Sequence, residues 1–417
     1  MGYLVFSKVQ DKKIISNYFK NSEKEKISNF SNNPIFPRNN FIPLPFKLWP
    51  SEGKLFFLFL GIWCLFGIFI LSSASWWVAN KEMGDWAYYI KRQILWYVPS
   101  LSISYLIFKT NIRDLLKISK YIFYLMILLV AGTIFFGTTL NGSSRWLIIG
   151  PLQIQPSELI KPFSILEAAN IFAHWNLVKN EKKIFSILLF VVLIFLIMLQ
   201  PNLSTACLTG GLFWIMALCG GVKFKTLGKV ASLGFLGAYI SIMKNEYQRL
   251  RVISFLNPWS DAEGNGYQLI QSLLAIGSGG LLGQGYGLSI QKLQYLPIQS
   301  TDFIYAIFAE EFGLIGSILL LGFLSSFSYL SLRIALKCRN NYTKLVATGC
   351  GTLLVGQSLM HIAVTTGSMP TTGLPLPFVS YGGNSLLSST IIAALLLRCS
   401  LESTGLIGTL RARKVIN

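Results

Sequence analysis

Along the chain, long apolar runs alternate with short polar ones at the spacing of a bilayer. A hydrocarbon core takes about twenty mostly apolar residues per helix, and fewer where a segment is tilted or shielded by its neighbours. Ten runs approach this length, at 55–75, 93–108, 119–138, 156–172, 184–198, 203–220, 227–243, 303–331, 345–366 and 386–397. The pattern predicts an all-α polytopic membrane protein with about ten transmembrane helices across 54–400. A polar, basic tail precedes it (1–53), and a basic tail follows it (401–417).

Short basic loops resist translocation, so the Lys/Arg positions orient the bundle. They gather in the N-terminal tail, at Lys109, Arg113 and Lys117, at Lys179, Lys182 and Lys183, at Lys223 and Lys225, and at Arg333, Lys337, Arg339 and Lys344. Arg398, Arg411, Arg413 and Lys414 add a last group. These are alternate connections, which predicts that both termini are cytoplasmic. The opposite side then carries 140–155 and, between helices seven and eight, the large extracytoplasmic loop 245–301. A short Gly/Pro-rich stretch before the last helix lies on that side too. Long ordered loops carry function more often than linkage, so the chemistry is expected outside.

Composition narrows the classes. Residues are 53% hydrophobic and only 13% charged, which excludes an ordinary soluble surface. The net charge of +19 does not indicate nucleic acid, because the basic residues cluster between apolar runs instead of forming one polar face. Six cysteines without a Cys-x-x-Cys pair indicate neither a disulfide framework nor a zinc site. His174 and His361 are the only histidines, too few for a multi-histidine metal site.

Several outer or membrane-buried residues carry possible chemistry. Asp302 stands where the large loop meets an apolar run, with Ser300 or Thr301 able to cap a helix there and the helix N-terminus favouring the ionised carboxylate. It is either a capping carboxylate or a general base. The glycines of 275–287 either let backbone amides approach an anionic ligand or simply shape turns. Glu310 and Glu311, inside an apolar run, require partners or protonation, in a structural or a functional pair. Glu158 and Lys161, between Pro156 and Pro162, can pair on one face of a broken helix lining a cavity, or within the bundle. Arg145 can grip a phosphate bidentately, and Trp146 can stack on a sugar or anchor at the headgroups.

Taken together, the motifs resemble those of the SEDS (shape, elongation, division and sporulation) family of peptidoglycan glycosyltransferases. They are Ser72-Ser-Ala-Ser75, Asn141-Gly-Ser-Ser-Arg-Trp146, Gln153-Ile-Gln-Pro-Ser-Glu-Leu159, Gln200-Pro201, Gly266-Tyr-Gln268, Thr301-Asp-Phe303, Ala309-Glu-Glu311 and Gly373-Leu-Pro-Leu-Pro-Phe-Val-Ser-Tyr-Gly-Gly383. The resemblance implies a ten-helix fold whose outward cavity binds lipid II and a growing glycan strand, with Asp302 as the catalytic carboxylate. It implies substrate-binding or supporting roles for Arg145, Trp146, Glu158, Lys161, Tyr267, Gln268, Glu310, Ser380 and Tyr381. No organic cofactor is implied; a divalent cation can assist, although no acidic cluster in the sequence demands one.

The Ser72-Ser-Ala-Ser75 run, the Asn141–Trp146 motif and the basic C-terminal tail are more similar to the FtsW-type, septal branch than to the RodA-type, elongation branch. That branch implies a multi-pass protein of a bacterial cytoplasmic membrane at the division septum, with a class B penicillin-binding protein and other division proteins as partners. A lipid II flippase and a non-enzymatic divisome scaffold are the competing classes. Two positions depart from the family pattern. Asn202 replaces the usual Asp after Gln-Pro and cannot act as a base, and Ser300 replaces a common His, leaving no imidazole to shuttle a proton there.

Overall fold

The structure is a computed structural model that describes residues 46, 49–110, 112–140, 143–150 and 152–403. Most of the predicted N-terminal tail, and the C-terminal tail beyond 403, lie outside the described residues.

Nearly all predicted spans appear as single helices. They are α1 (Ser51–Met83), α2 (Tyr88–Lys109), α3 (Ile112–Phe136), α6 (Asn180–Leu199), α7 (Leu203–Cys219), α8 (Phe224–Lys244), α11 (Ile304–Lys337), α12 (Asn341–Thr365) and α13 (Gly383–Ser403). The fourth is split at Ile160 into α4 (Pro156–Leu159) and α5 (Lys161–Phe172), and α11 carries a break of its own at Gly313. Pro162 has no N–H for the helical ladder, so a break at this point costs little. Among the described residues, seven helices are both long and apolar enough to cross a membrane, and α7 is a shorter apolar one.

Helix α13 is buried almost throughout and forms the centre of the bundle, packed by α2, α12 and α11. Helix α8 is its opposite, with only Leu227 buried and Val230, Leu233, Phe235 and Tyr239 exposed, as suits a helix facing lipid. The polar connection 140–155 is not a bare loop. It folds with its neighbour into a three-stranded antiparallel meander of β1 (Thr138–Leu140), β2 (Ser143–Ile149) and β3 (Leu152–Ile154), in register Thr138 with Trp146 and Leu147 with Ile154. The large loop contains α9 (Glu246–Leu256), a 3-10 turn (Pro258–Asp261) and α10 (Tyr267–Gly279).

The glycine-rich stretch has a structural use. Helix α11 breaks at Gly313, whose φ of 62° and ψ of −160° suit only glycine. The helical bonds lost there are replaced from the loop. Leu314 and Ile315 donate to the carbonyls of Gly280 and Leu281 (2.9 and 3.1 Å), while Gln284 and Gly285 donate to those of Glu310 and Glu311 (2.9 and 3.0 Å). All four backbone groups are thereby satisfied inside the bundle, where water cannot do it. Gly280 and Gly285 thus have a turn-forming use in this loop.

Candidate active site

One large cavity, about 1130 Å³, opens among α2, the meander, α9, the start of α10, and the segments before α11 and α13. It collects six of the sequence-predicted residues: Arg145, Trp146, Tyr267, Gln268, Asp302 and Tyr381. The other four do not line it.

Asp302 precedes α11, whose N-cap is Phe303 with no side-chain cap bond, so the carboxylate is not spent on capping the helix. Its backbone N–H donates to Ile298 O (3.2 Å). Burial pushes its carboxyl up from the ordinary value, and the positive charges of Arg251 and then Arg145 pull in the opposite direction. Neither arginine forms an ion pair with it within 4.0 Å among the described residues.

Both arginines are held elsewhere. Arg145, on β2, donates to the carbonyls of Gln200 (3.2 Å) and Pro201 at the C-terminal end of α6, a favourable place for a cation. Burial brings its guanidinium down to about 10, so it stays charged at neutral pH. Arg251, on α9, donates to Thr371 O (3.0 Å) and to the Tyr247 hydroxyl, and it stacks on that ring at 4.4 Å.

Ser380 and Tyr381 fix the loop before α13 to the Asp302 segment. The Ser380 hydroxyl donates to Thr301 O (2.6 Å) and accepts from Leu376 N (2.9 Å), and Tyr381 N donates to Ser300 O (2.9 Å). Ser380 is thus buried behind the wall and positions Asp302 through the backbone; Tyr381 lines the cavity. Gln93, on α2, clamps the same turn by donating to Ser380 O and accepting from Gly382 N, both at 3.3 Å.

Glu158 and Lys161 pair across the break between α4 and α5 at 2.5 Å, both buried. Lys161 also donates to Gln357 Oε1 (3.0 Å), and Gln357 donates to Pro375 O (2.8 Å). The chain of contacts ends on the wall facing the carboxylate, where a Cβ added to Gly373 would sit 3.3 Å from Asp302 Oδ2. Glu310 is also behind the wall. It accepts from Ser289 Oγ, Ile290 N (3.0 Å) and Gln291 N (3.4 Å), while Glu311 pairs with buried Lys292 at 2.8 Å. These geometries give Glu158, Lys161, Glu310 and Ser380 supporting positions and no direct access to a ligand in the cavity. Asn202 caps α7, accepting from Thr205 N (3.3 Å).

Sequence reasoning had not singled out Arg92, Tyr247, Arg251 or Glu263, all of which line the cavity. A signal existed for the arginines: they lie on the predicted outer side, against the charge bias that places Lys and Arg inside. The resulting site sets a raised carboxyl beside fixed guanidinium groups in a cavity large enough for a sugar and a diphosphate. Such a site can take a proton from a hydroxyl and stabilise an anionic leaving group.

The sequence profile of the FtsW/RodA/SpoVE cell cycle protein family matches residues 53–405. The chain belongs to this family. A relative from Mesostigma viride that carries the name peptidoglycan glycosyltransferase FtsW is 46% identical over 85% of this chain and 86% of its own length. One of the same name from Synechocystis sp. is 44% identical over 85% and 91%. The fold is also that of known family structures. A chain of a peptidoglycan synthase complex that coordinates polymerization and crosslinking superposes with a TM-score of 0.70 at 26% identity, covering 85% of this chain and 99% of that one. RodA of Thermus thermophilus superposes at 0.63 with 23% identity, over 85% and 97%. The FtsW/RodA/SpoVE assignment makes the chain a multi-pass membrane protein.

Proposed function

We propose that the chain is a peptidoglycan glycosyltransferase that polymerises lipid II into glycan strands at the outer face of the membrane, during septal wall synthesis in cell division. The observation that carries the reading is Asp302: a carboxyl lining the cavity and in no ion pair within 4.0 Å among the described residues, with tethered arginines lining the same cavity. Asp302 accepts the proton of the acceptor sugar hydroxyl as its oxygen attacks the donor's anomeric carbon. The bond from that carbon to the lipid diphosphate breaks, and the diphosphate leaves with the bonding pair. Arg145 and Arg251 offset the negative charge that gathers on it, the kind of electrostatic stabilisation that commonly dominates such catalysis.

The FtsW name of the relatives supports the septal role, and the likeness to a synthase complex supports a class B penicillin-binding protein as partner. The test is polymerisation of lipid II by purified protein in liposomes, with and without that partner. Wild type is expected to give glycan ladders and Asp302→Asn none. Ladders from both proteins remove Asp302 as the base. None from folded wild type with its partner overturns the transferase reading.

A further inference from the structure

Among the described residues, five charged side chains line the cavity: Arg92, Arg145, Arg251, Asp302 and Glu263. The three arginines all donate to protein groups, Arg92 doing so to the Tyr88 hydroxyl at 2.7 Å. Asp302 is assigned to the reaction. Glu263 remains, exposed on the rim, and among the described residues it accepts no hydrogen bond and forms no ion pair.

Its backbone is fixed all the same. Asp261 accepts from Asn265 N (2.8 Å) and Asn265 Nδ2 (3.1 Å), and Gly266 N donates to Asp261 O (3.0 Å). Gly266 passes so close to Pro258 O that a Cβ there would lie 2.0 Å from it. The turn therefore fixes the backbone from which Glu263 projects at the cavity mouth, with Asn265, Tyr267 and Gln268 also lining the cavity. A carboxylate without a partner at the edge of a cavity whose interior carries three arginines against Asp302 marks where a cationic part of a ligand belongs.

We infer that Glu263 is a specificity determinant that binds an ammonium group on the peptide of the lipid-linked disaccharide-peptide. The inference rests on the transferase reading. The diphosphate is the anionic part and belongs with the arginines; the lipid must stay in the bilayer. The peptide is the polar portion free to reach the water-exposed rim, and its amine is the group that a carboxylate there would recognise. An exposed ion pair of this kind is weak, worth about a two- to fivefold change in KM, and is screened by salt.

The experiment compares two probes, lipid II with a free side-chain amine on its peptide and the same molecule N-acetylated, in wild type, Glu263→Gln, Glu263→Asp and Glu263→Lys. Wild type is expected to show a KM about two- to fivefold lower for the free amine than for the acetylated probe at low salt, with the gap closing as ionic strength approaches 1 M. Glu263→Gln should show equal KM values for the two, and Glu263→Asp should retain part of the preference. Glu263→Lys should favour a succinylated probe, which carries a carboxylate instead. Equal KM values in wild type, or an undiminished preference in Glu263→Gln, overturn the inference while polymerisation itself continues. Absence of polymerisation with every probe would overturn the transferase reading instead.

Discussion

Lys161→Met isolates what the buried pair behind the cavity wall contributes. Glu158 and Lys161 are 4% and 1% exposed and 2.5 Å apart, so the substitution strands a carboxylate in the bundle and removes the donor to Gln357. Taking one partner from a buried pair costs about 3–5 kcal/mol, whereas neutralising both is close to neutral when volume is kept. At about 1.4 °C per kcal/mol, from an unfolding entropy of about 2.1 cal/mol/K per residue over the 54–400 domain, Lys161→Met should lower the apparent melting temperature by roughly 4–7 °C. Glu158→Gln with Lys161→Met should recover most of that loss, because no stranded charge is left. Tryptophan fluorescence on heating in detergent measures wild type, both single variants and the double variant as one thermodynamic cycle. A double variant that melts at or below Lys161→Met would refute the reasoning, since desolvated charge would then not be what the pair relieves.

Three further outcomes follow from the geometry. Arg251→Gln removes the larger of the two charges that hold the Asp302 carboxyl down, so its pKa rises. The deprotonated base is then lost at higher pH, and the acidic limb of the pH–rate profile should shift upward, with Arg251→Lys returning it toward wild type. Ser380→Ala breaks the bonds to Thr301 O and Leu376 N, at about 1 kcal/mol each, and should cut polymerisation roughly tenfold or more through displaced Asp302, with the protein still folded by thermal melting. Gly313→Ala should destabilise, opposite in sign to the usual gain of about 1 kcal/mol inside a helix, because φ is 62° and a Cβ would lie 2.4 Å from Gly283 N; a raised melting temperature would contradict the break in α11.

The spans were legible because bilayer thickness fixes run length, and the break near Pro156 and Pro162 because proline removes a ladder donor. The position of Asp302 on the cavity could be read from its place between a long outer loop and an apolar run. Other features could not be read that way. Gly313 lies inside the predicted span 303–331, yet it breaks the helix, and only tertiary contact reveals that 280–285 supply the missing bonds. The meander at 138–154 was too short and polar to carry a clear strand period. Arg251 sits in a loop helix of no distinctive pattern, and its relation to Asp302 is spatial, across some fifty residues of chain.

The distribution of partners explains how one protein keeps charges buried for support and another charge ready for chemistry. Glu158 with Lys161 and Glu311 with Lys292 are buried pairs at 2.5 and 2.8 Å, so each carboxylate has a cation beside it where solvent cannot supply one. Asp302 is kept out of such a pair because its cationic neighbours are tied down, Arg145 to the end of α6 and Arg251 to Thr371 and Tyr247. A direct contact with either would depress the carboxyl and weaken it as a base, while complete removal of both would leave it protonated to higher pH. Tethering the arginines to backbone carbonyls resolves the conflict: their charge reaches the cavity and tempers the carboxyl without neutralising it. The carbonyls that hold them are therefore as much a part of the reaction's electrostatics as the guanidinium groups themselves.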